Sequence, residues 1–171
     1  MRDEELVGRI RRAAHNYDQY SGCSQSVLLA LQEGLGIGDL NSFKAATALS
    51  GGVARRGETC GAVLGAVMAV GMVKGREGME DYDSYVEATN ISNEICDEFQ
   101  RRIEREFGLK DRLDSTLCRN IHTLIYGRSF DLRVPAERDA FLEAGGHSDE
   151  GCYKVCGIAA EIAAEKLREL L

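Results

Sequence analysis

The sequence predicts an all-α fold, a single-domain antiparallel bundle of about seven to eight helices spanning residues 1–171. Three observations carry this prediction. Apolar residues recur at helical spacing along nearly the whole chain. No segment combines two-residue alternation with strand-forming residues. There is only one proline, and glycine clusters fall between the periodic segments, where they serve as stops.

The elements follow in order. Residues 3 to 18 place Leu6, Ile10, Ala13, Ala14 and Tyr17 on one face, with Arg and Asp side chains on the other. Ser21 is a candidate cap for a second helix carrying Val27, Leu28, Leu31 and Leu35, closed by "GLGIGD". Asn41 or Ser42 opens a third, from Phe43 to about Ala54. A fourth starts near Thr59 and runs to about Val73, before "KGREG". A long fifth helix starts at Asp81, carries Tyr85, Val86, Ile95, Phe99, Ile103 and Phe107, and closes at Gly108. Asp114 or Ser115 caps a sixth with Leu117, Ile121, Leu124 and Ile125, ending at Gly127. Pro135 suits the first turn of a short seventh, to about Ala144. Asp149 caps the last, whose buried stripe is Val155, Ala159, Ile162, Ala163 and Leu167.

Charge and hydropathy exclude several function classes. With a net charge of -7, and with Arg11-Arg12, Arg55-Arg56 and Arg101-Arg102 scattered among acids, no basic surface for nucleic acid is expected. The longest apolar run, "AVLGAVMAVGMV", is 12 residues and too short for a membrane span, so no membrane insertion is expected. The N-terminus, "MRDEELVGRI", lacks the pattern of a secretory signal, and a cytoplasmic location is expected. Thiols are normally reduced there, so the six cysteines are not expected to form a disulfide framework.

On the helix map, Cys23, Cys60, Cys118 and Cys152 each fall in the first turn of an even-numbered helix. Alternate helices of an up-and-down bundle begin at the same end, so these four thiols are expected to share one site. Helix starts favour thiolate through free N–H groups and the macrodipole. Cys60, with Arg55 and Arg56 nearby, is expected to be the most acidic of the thiols and the attacking one. Cys96 lies mid-helix with Phe99 and Ile103 and is expected to pack in the core, apart from the others. Cys156 lies one turn beyond Cys152 and either joins the site or packs. Gly57, Gly61 and Gly65 recur every four residues, lining a bare face for a neighbouring backbone or a bound group; Gly61 and Gly65 are the candidate cofactor-binding positions.

The ordered set "GCSQSV", "TCGAVLGA", "LCRNI" and "CYKVCGIAAEIAAE" resembles the "putative redox-active protein" family named for its C_GCAxxG_C_C pattern, over about residues 15–171. The resemblance puts the family's four cysteines on Cys23, Cys60, Cys118 and Cys152, and its small-residue motif on Gly61, Ala62 and Gly65. Cys96 and Cys156 are extra to it. It implies a cysteine-based redox role in a small helical protein, without a substrate.

Three function classes follow. The first is thiol-disulfide or electron-transfer chemistry at the four cysteines with an unknown redox partner, which as an enzyme would be a thiol-disulfide oxidoreductase. It lacks a C-x-x-C pair, and the parallel Cβ directions of Cys152 and Cys156, four apart on a helix, suit a disulfide poorly unless the first turn unwinds. The second is an iron-sulfur cluster or other metal held by the same four thiolates, each from a different helix. The third is a non-enzymatic helical interaction module, against which the fourfold placement argues. His122, one turn after Cys118, is a candidate ligand or base; His147 precedes the last helix and His15 has no claim. No phosphate loop, dinucleotide fingerprint, haem attachment or paired-histidine zinc motif occurs. Homo-oligomerisation stays open.

Overall fold

In the computed structural model, which describes residues 3–171, the periodic segments become eight α-helices: α1 (Asp3–Tyr17), α2 (Cys23–Leu35), α3 (Leu40–Ala45), α4 (Gly61–Lys74), α5 (Tyr82–Phe107), α6 (Cys118–Tyr126), α7 (Pro135–Glu143) and α8 (Cys152–Leu167). Among the described residues there are no strands, only an isolated antiparallel bridge between Thr59 and Leu117. The fold class is therefore all-α, as the periodicity predicts.

Helix α8 organises the packing, with faces against α1, α2, α4 and α5. It can do so because its residues from Val155 to Ala160 are all buried and mostly small, so neighbours approach on several sides. Helix α2 adds contacts with α1 and α4, and α4 with α5. The core draws Ile10 from α1, Leu28 and Leu31 from α2, Val63 and Val70 from α4, Ile95, Phe99 and Ile103 from α5, and Ile158 and Leu167 from α8.

A network of charges ties α1, α5 and α8 together. Glu161 accepts from Arg11 at 2.5 Å and from Arg102 at 2.8 Å, while Arg11 also reaches Glu106 at 2.6 Å and Arg102 reaches Glu165 at 2.7 Å. These side chains are half-buried, so the cost of desolvating the charges offsets much of their attraction, and the network links three helices without adding much net stability.

The helix boundaries differ from expectation where tertiary contacts replace local caps. Asp39 and Asp81 cap α3 and α5 through their side chains, Asp39 in a capping box with Ser42. By contrast α2, α4, α6 and α8 start without a side-chain cap: their N-caps are Gly22, Cys60, Leu117 and Gly151, and not Ser21, Asp114, Ser115 or Asp149. The third helix ends at Ala45 rather than Ala54. A 3-10 turn follows (Thr47–Leu49), and then Gly51 to Arg55 hold φ between 51° and 68°. Gly51 and Gly52 enter this left-handed turn without steric cost, but Val53, Ala54 and Arg55 each pay about 1–2 kcal/mol for it. Surrounding structure must hold them there, and such strain clusters at functional sites.

Candidate functional site

The four cysteine-bearing helix starts open onto one cavity of about 400 Å³, lined by Cys23, Cys60, Cys118 and Cys152 and also by Cys156. Local backbone pairing brings two of these starts together. Cys60 N–H donates to Thr116 O at 2.8 Å, Cys118 N–H to Glu58 O at 2.7 Å and Arg119 N–H to Gly57 O at 3.1 Å, so the entries to α4 and α6 are laced side by side. The lacing supplies the partner that a capping side chain would otherwise give the N–H of Arg119, and satisfies that of Cys118 as well.

Gly61 and Gly65 serve close approach. A Cβ on Gly61 would strike the Cys23 sulfur and crowd Leu49 O and Ser50 Cα, each at 3.1 Å. At Gly65 it would strike the Ser24 carbonyl and meet Val27 Cβ at 3.1 Å. The bare face of α4 thus admits both the α2 backbone and its leading thiol. Gly57 does not share that face: it precedes the helix with φ 71° and packs against Arg119.

Burial, more than helix starts, governs the thiols. The Cys60 sulfur accepts from the N–H groups of Ala62 and Val63, which favours thiolate, yet burial outweighs this and pushes Cys60 up to about 11. The expectation of an acidic Cys60 is therefore corrected; neither Arg55 nor Arg56 figures among the groups that set it. Burial likewise pushes Cys23 up to about 12, despite favourable contacts from Gly51 N–H and the Ser50 hydroxyl. Cys118, Cys152 and Cys156 are all raised by burial, with further repulsion from neighbouring thiols. Cys96 packs half-buried against the core from α5, as expected apart from the other thiols, and does not line the cavity. In reduced, metal-free protein near neutral pH, alkylation with residue-resolved mass spectrometry is expected to label Cys96 before Cys60; Cys60 labelled first would mean the cavity opens readily in solution.

Sequence reasoning missed much of the remaining lining. Asp18, expected on the polar side of α1, instead lies in the 3-10 turn after it with 0% exposure. Both carboxylate oxygens lack a hydrogen-bond partner, and burial pushes the group up to about 7. His147 Nδ1 stands 3.6 Å from it, at ion-pair distance but beyond a hydrogen bond. His122 does face the site, with Nε2 3.5 Å from Cys118 Sγ and Nδ1 buried without a partner. Burial inside an aromatic cage of Tyr126, Phe130 and Phe141 drops His122 to about 4. The Tyr126 hydroxyl lies 3.5 Å from Cys152 Sγ. Arg55 and Arg138 complete the wall. The signal for Asp18 was slight: an acid in "NYDQYSG", at the joint just before a cavity-facing cysteine.

A family model described as "Putative redox-active protein (C_GCAxxG_C_C)" matches residues 21–166. The chain belongs to this family. The match spans all four helix-start cysteines, and in this chain the small-residue motif reads Cys60-Gly61-Ala62-Val63-Leu64-Gly65. Comparison with curated proteins and with solved structures returned no match. No helix of the described residues is long and apolar enough to cross a membrane.

Four cysteine sulfurs are the donor type that soft metals and iron-sulfur clusters take. Four buried thiols that resist ionisation by themselves gain a reason to ionise once a cation lies among them. Among the described residues no three Cys, His, Asp or Glu side chains close on a single point as one metal ion would need. A larger thiolate-bound group would be held by Cys23, Cys60, Cys118 and Cys152 together and would supply electron-transfer chemistry.

Proposed function

We propose that the protein is a redox protein that carries electrons through an iron-sulfur centre held by Cys23, Cys60, Cys118 and Cys152. The observation that supports this most is the convergence of four helix-start thiols on one cavity of about 400 Å³, where burial disfavours bare thiolate. When bound, such a centre supplies one-electron transfer. The chain's own part is to hold the ligands on four separate elements, exclude bulk water, and place Arg55 and Arg138 where they offset negative charge. The reading fits a reducing compartment such as the cytoplasm, where the cysteines stay available as ligands.

Anaerobic purification with iron and acid-labile sulfide analysis tests it. The protein is expected to be brown and iron-bearing, or to become so on reconstitution. Single Ser substitutions at Cys23, Cys60, Cys118 or Cys152 are expected to abolish or strongly deplete the chromophore, whereas Cys96→Ser keeps it. A colourless, iron-free wild type would overturn the cluster. If its thiols then oxidised reversibly in pairs, thiol-disulfide chemistry would take its place. Cys23 and Cys60 would be the first pair to examine, because Gly61 brings the Cys23 sulfur against the start of α4.

A further inference from the structure

Asp18 is the least expected group in the molecule. A carboxylate with 0% exposure and no hydrogen bond to either oxygen is costly to ionise and needs a proton or a cation nearby. The groups that act on it come from every surrounding element. Cys23 and Ser26 lie on α2, Cys60 at the head of α4, Tyr126 on α6, and Cys152, Tyr153 and Cys156 on α8. The Ser26 hydroxyl and the Cys156 thiol donate to the carbonyls of Gly22 and Cys23; lying beside the carboxylate they favour its charged form, but less than burial disfavours it. Of these neighbours and His147, only His147 can carry positive charge, and it sits 3.6 Å away; burial and the charge of Arg138 on the cavity wall lower it, so it relays a proton as the neutral ring.

His147 also differs from Asp18 in reaching outward. Its side chain is 25% exposed while that of Asp18 is 0% exposed, so the pair spans from the cavity wall to solvent. Both residues line the same cavity as the thiols. We propose that Asp18 and His147 form the proton-transfer pair of the redox site, taking up one proton when an electron enters the cavity and releasing it on reoxidation.

The proposal rests on the electron-transfer reading above, and the step balances as follows. An external one-electron donor, a reduced electron carrier in the cell or dithionite in vitro, adds one negative charge to the cavity. In that low-dielectric space the added charge raises the proton affinity of Asp18. As the 3.6 Å gap closes to hydrogen-bond length, an Asp18 oxygen takes the proton from Nδ1 of His147, the N–H bond breaking as the O–H bond forms. His147 regains a proton from water at its exposed edge. One electron and one proton enter together, and the site's charge is unchanged. Neither residue is within two positions of the four proposed ligands, and the side chains that favour the charge of the Asp18 carboxylate or pair with it, those of Ser26, Cys156 and His147, are outside that set.

The test is the midpoint potential of the iron-loaded protein as a function of pH, followed optically. The wild type is expected to slope by about 59 mV per pH unit above about pH 7, where the oxidised protein has lost the Asp18 proton, and to flatten below it; that slope is the one-electron equivalent of a tenfold change in proton concentration. Asp18→Asn is expected to flatten that slope, and His147→Phe to move the sloping region to a different pH. Infrared difference spectra of metal-free protein give a second readout. The protonated carboxyl band is expected at about pH 6, fading by about pH 8 and missing from Asp18→Asn, as the value near 7 requires. A flat wild-type potential, an unchanged slope in Asp18→Asn, or an ionised carboxylate throughout would overturn the inference. Should Asp18→Asn fail to fold, His147→Phe and the wild-type infrared titration decide. Failure of the electron-transfer reading looks different: the protein is then colourless and holds no iron.

Discussion

Asp18→Asn is expected to make the protein more sensitive to acid than wild type, by about 3 kcal/mol between about pH 6.5 and pH 4. Two buried groups oppose each other in this window. Asp18 is raised from 3.8 to about 7, so the folded chain binds its proton more tightly than the unfolded chain. Its contribution therefore grows as pH falls from about 7 to 4, by on the order of 4 kcal/mol at about 1.36 kcal/mol per pH unit. His122 is lowered from 6.5 to about 4, so the unfolded chain binds its proton more tightly. Stability from burying the neutral ring is fully present above about pH 6.5 and is lost as pH falls towards 4, by about 3 kcal/mol. His147, also lowered by burial, acts in the same direction as His122.

Removing Asp18 leaves the histidine effect unopposed. His122→Phe, which keeps an aromatic ring among Tyr126, Phe130 and Phe141, leaves the Asp18 effect unopposed and is expected to gain stability on acidification. Urea unfolding of reduced, metal-free protein at stepped pH reads both. The decisive quantity is the difference between each variant and wild type, which cancels the titration of surface groups. Parallel curves for wild type and Asp18→Asn would show that Asp18 titrates as an ordinary exposed carboxylate.

Gly65→Ala is expected to destabilise the fold by about 1–3 kcal/mol, because the added methyl overpacks a rigid contact. The obstacle is the Ser24 carbonyl of α2, with Val27 Cβ and Leu28 N close behind at 3.1 and 3.3 Å, so α2 and α4 must separate. That separation would also displace Cys23, one residue from Ser24, relative to Cys60. Loss of stability and weaker iron retention should therefore appear together. Gly71→Ala is the internal control: it lies on the same helix with open space at its Cβ, and exchanging Gly for Ala there is expected to stabilise by up to about 1 kcal/mol. Thermal unfolding of the two variants beside wild type measures both effects. Equal behaviour at the two positions would mean that α2 and α4 are not in close contact in solution.

Much of this architecture was legible in the sequence because it is locally encoded. Periodic apolar residues gave the long helices, and Asp81 with Gly108 bounded α5 as expected. Placing Cys23, Cys60, Cys118 and Cys152 at the beginnings of α2, α4, α6 and α8 needed only helix starts and an alternating chain direction. The end of α3 was readable too, and misjudged: Gly51-Gly52 was a stop signal inside a segment expected to run to Ala54.

Other features depend on residues far apart in the chain, and only the tertiary structure decided them. The entries to α4 and α6 are fixed by pairing of residues 57–60 with 116–119, which no local pattern announces. Helix starts by themselves favour thiolate, but desolvation depends on what covers the sulfur, and that cover raises Cys60 rather than lowering it. Asp18 follows the polar periodicity of α1, yet the turn after that helix carries it inward, against Cys156 and His147. Short-range preferences settle where a helix begins and which way its face points. The dielectric and charge around a side chain are sums over neighbours from five or six elements, and those sums exist only once the chain has folded.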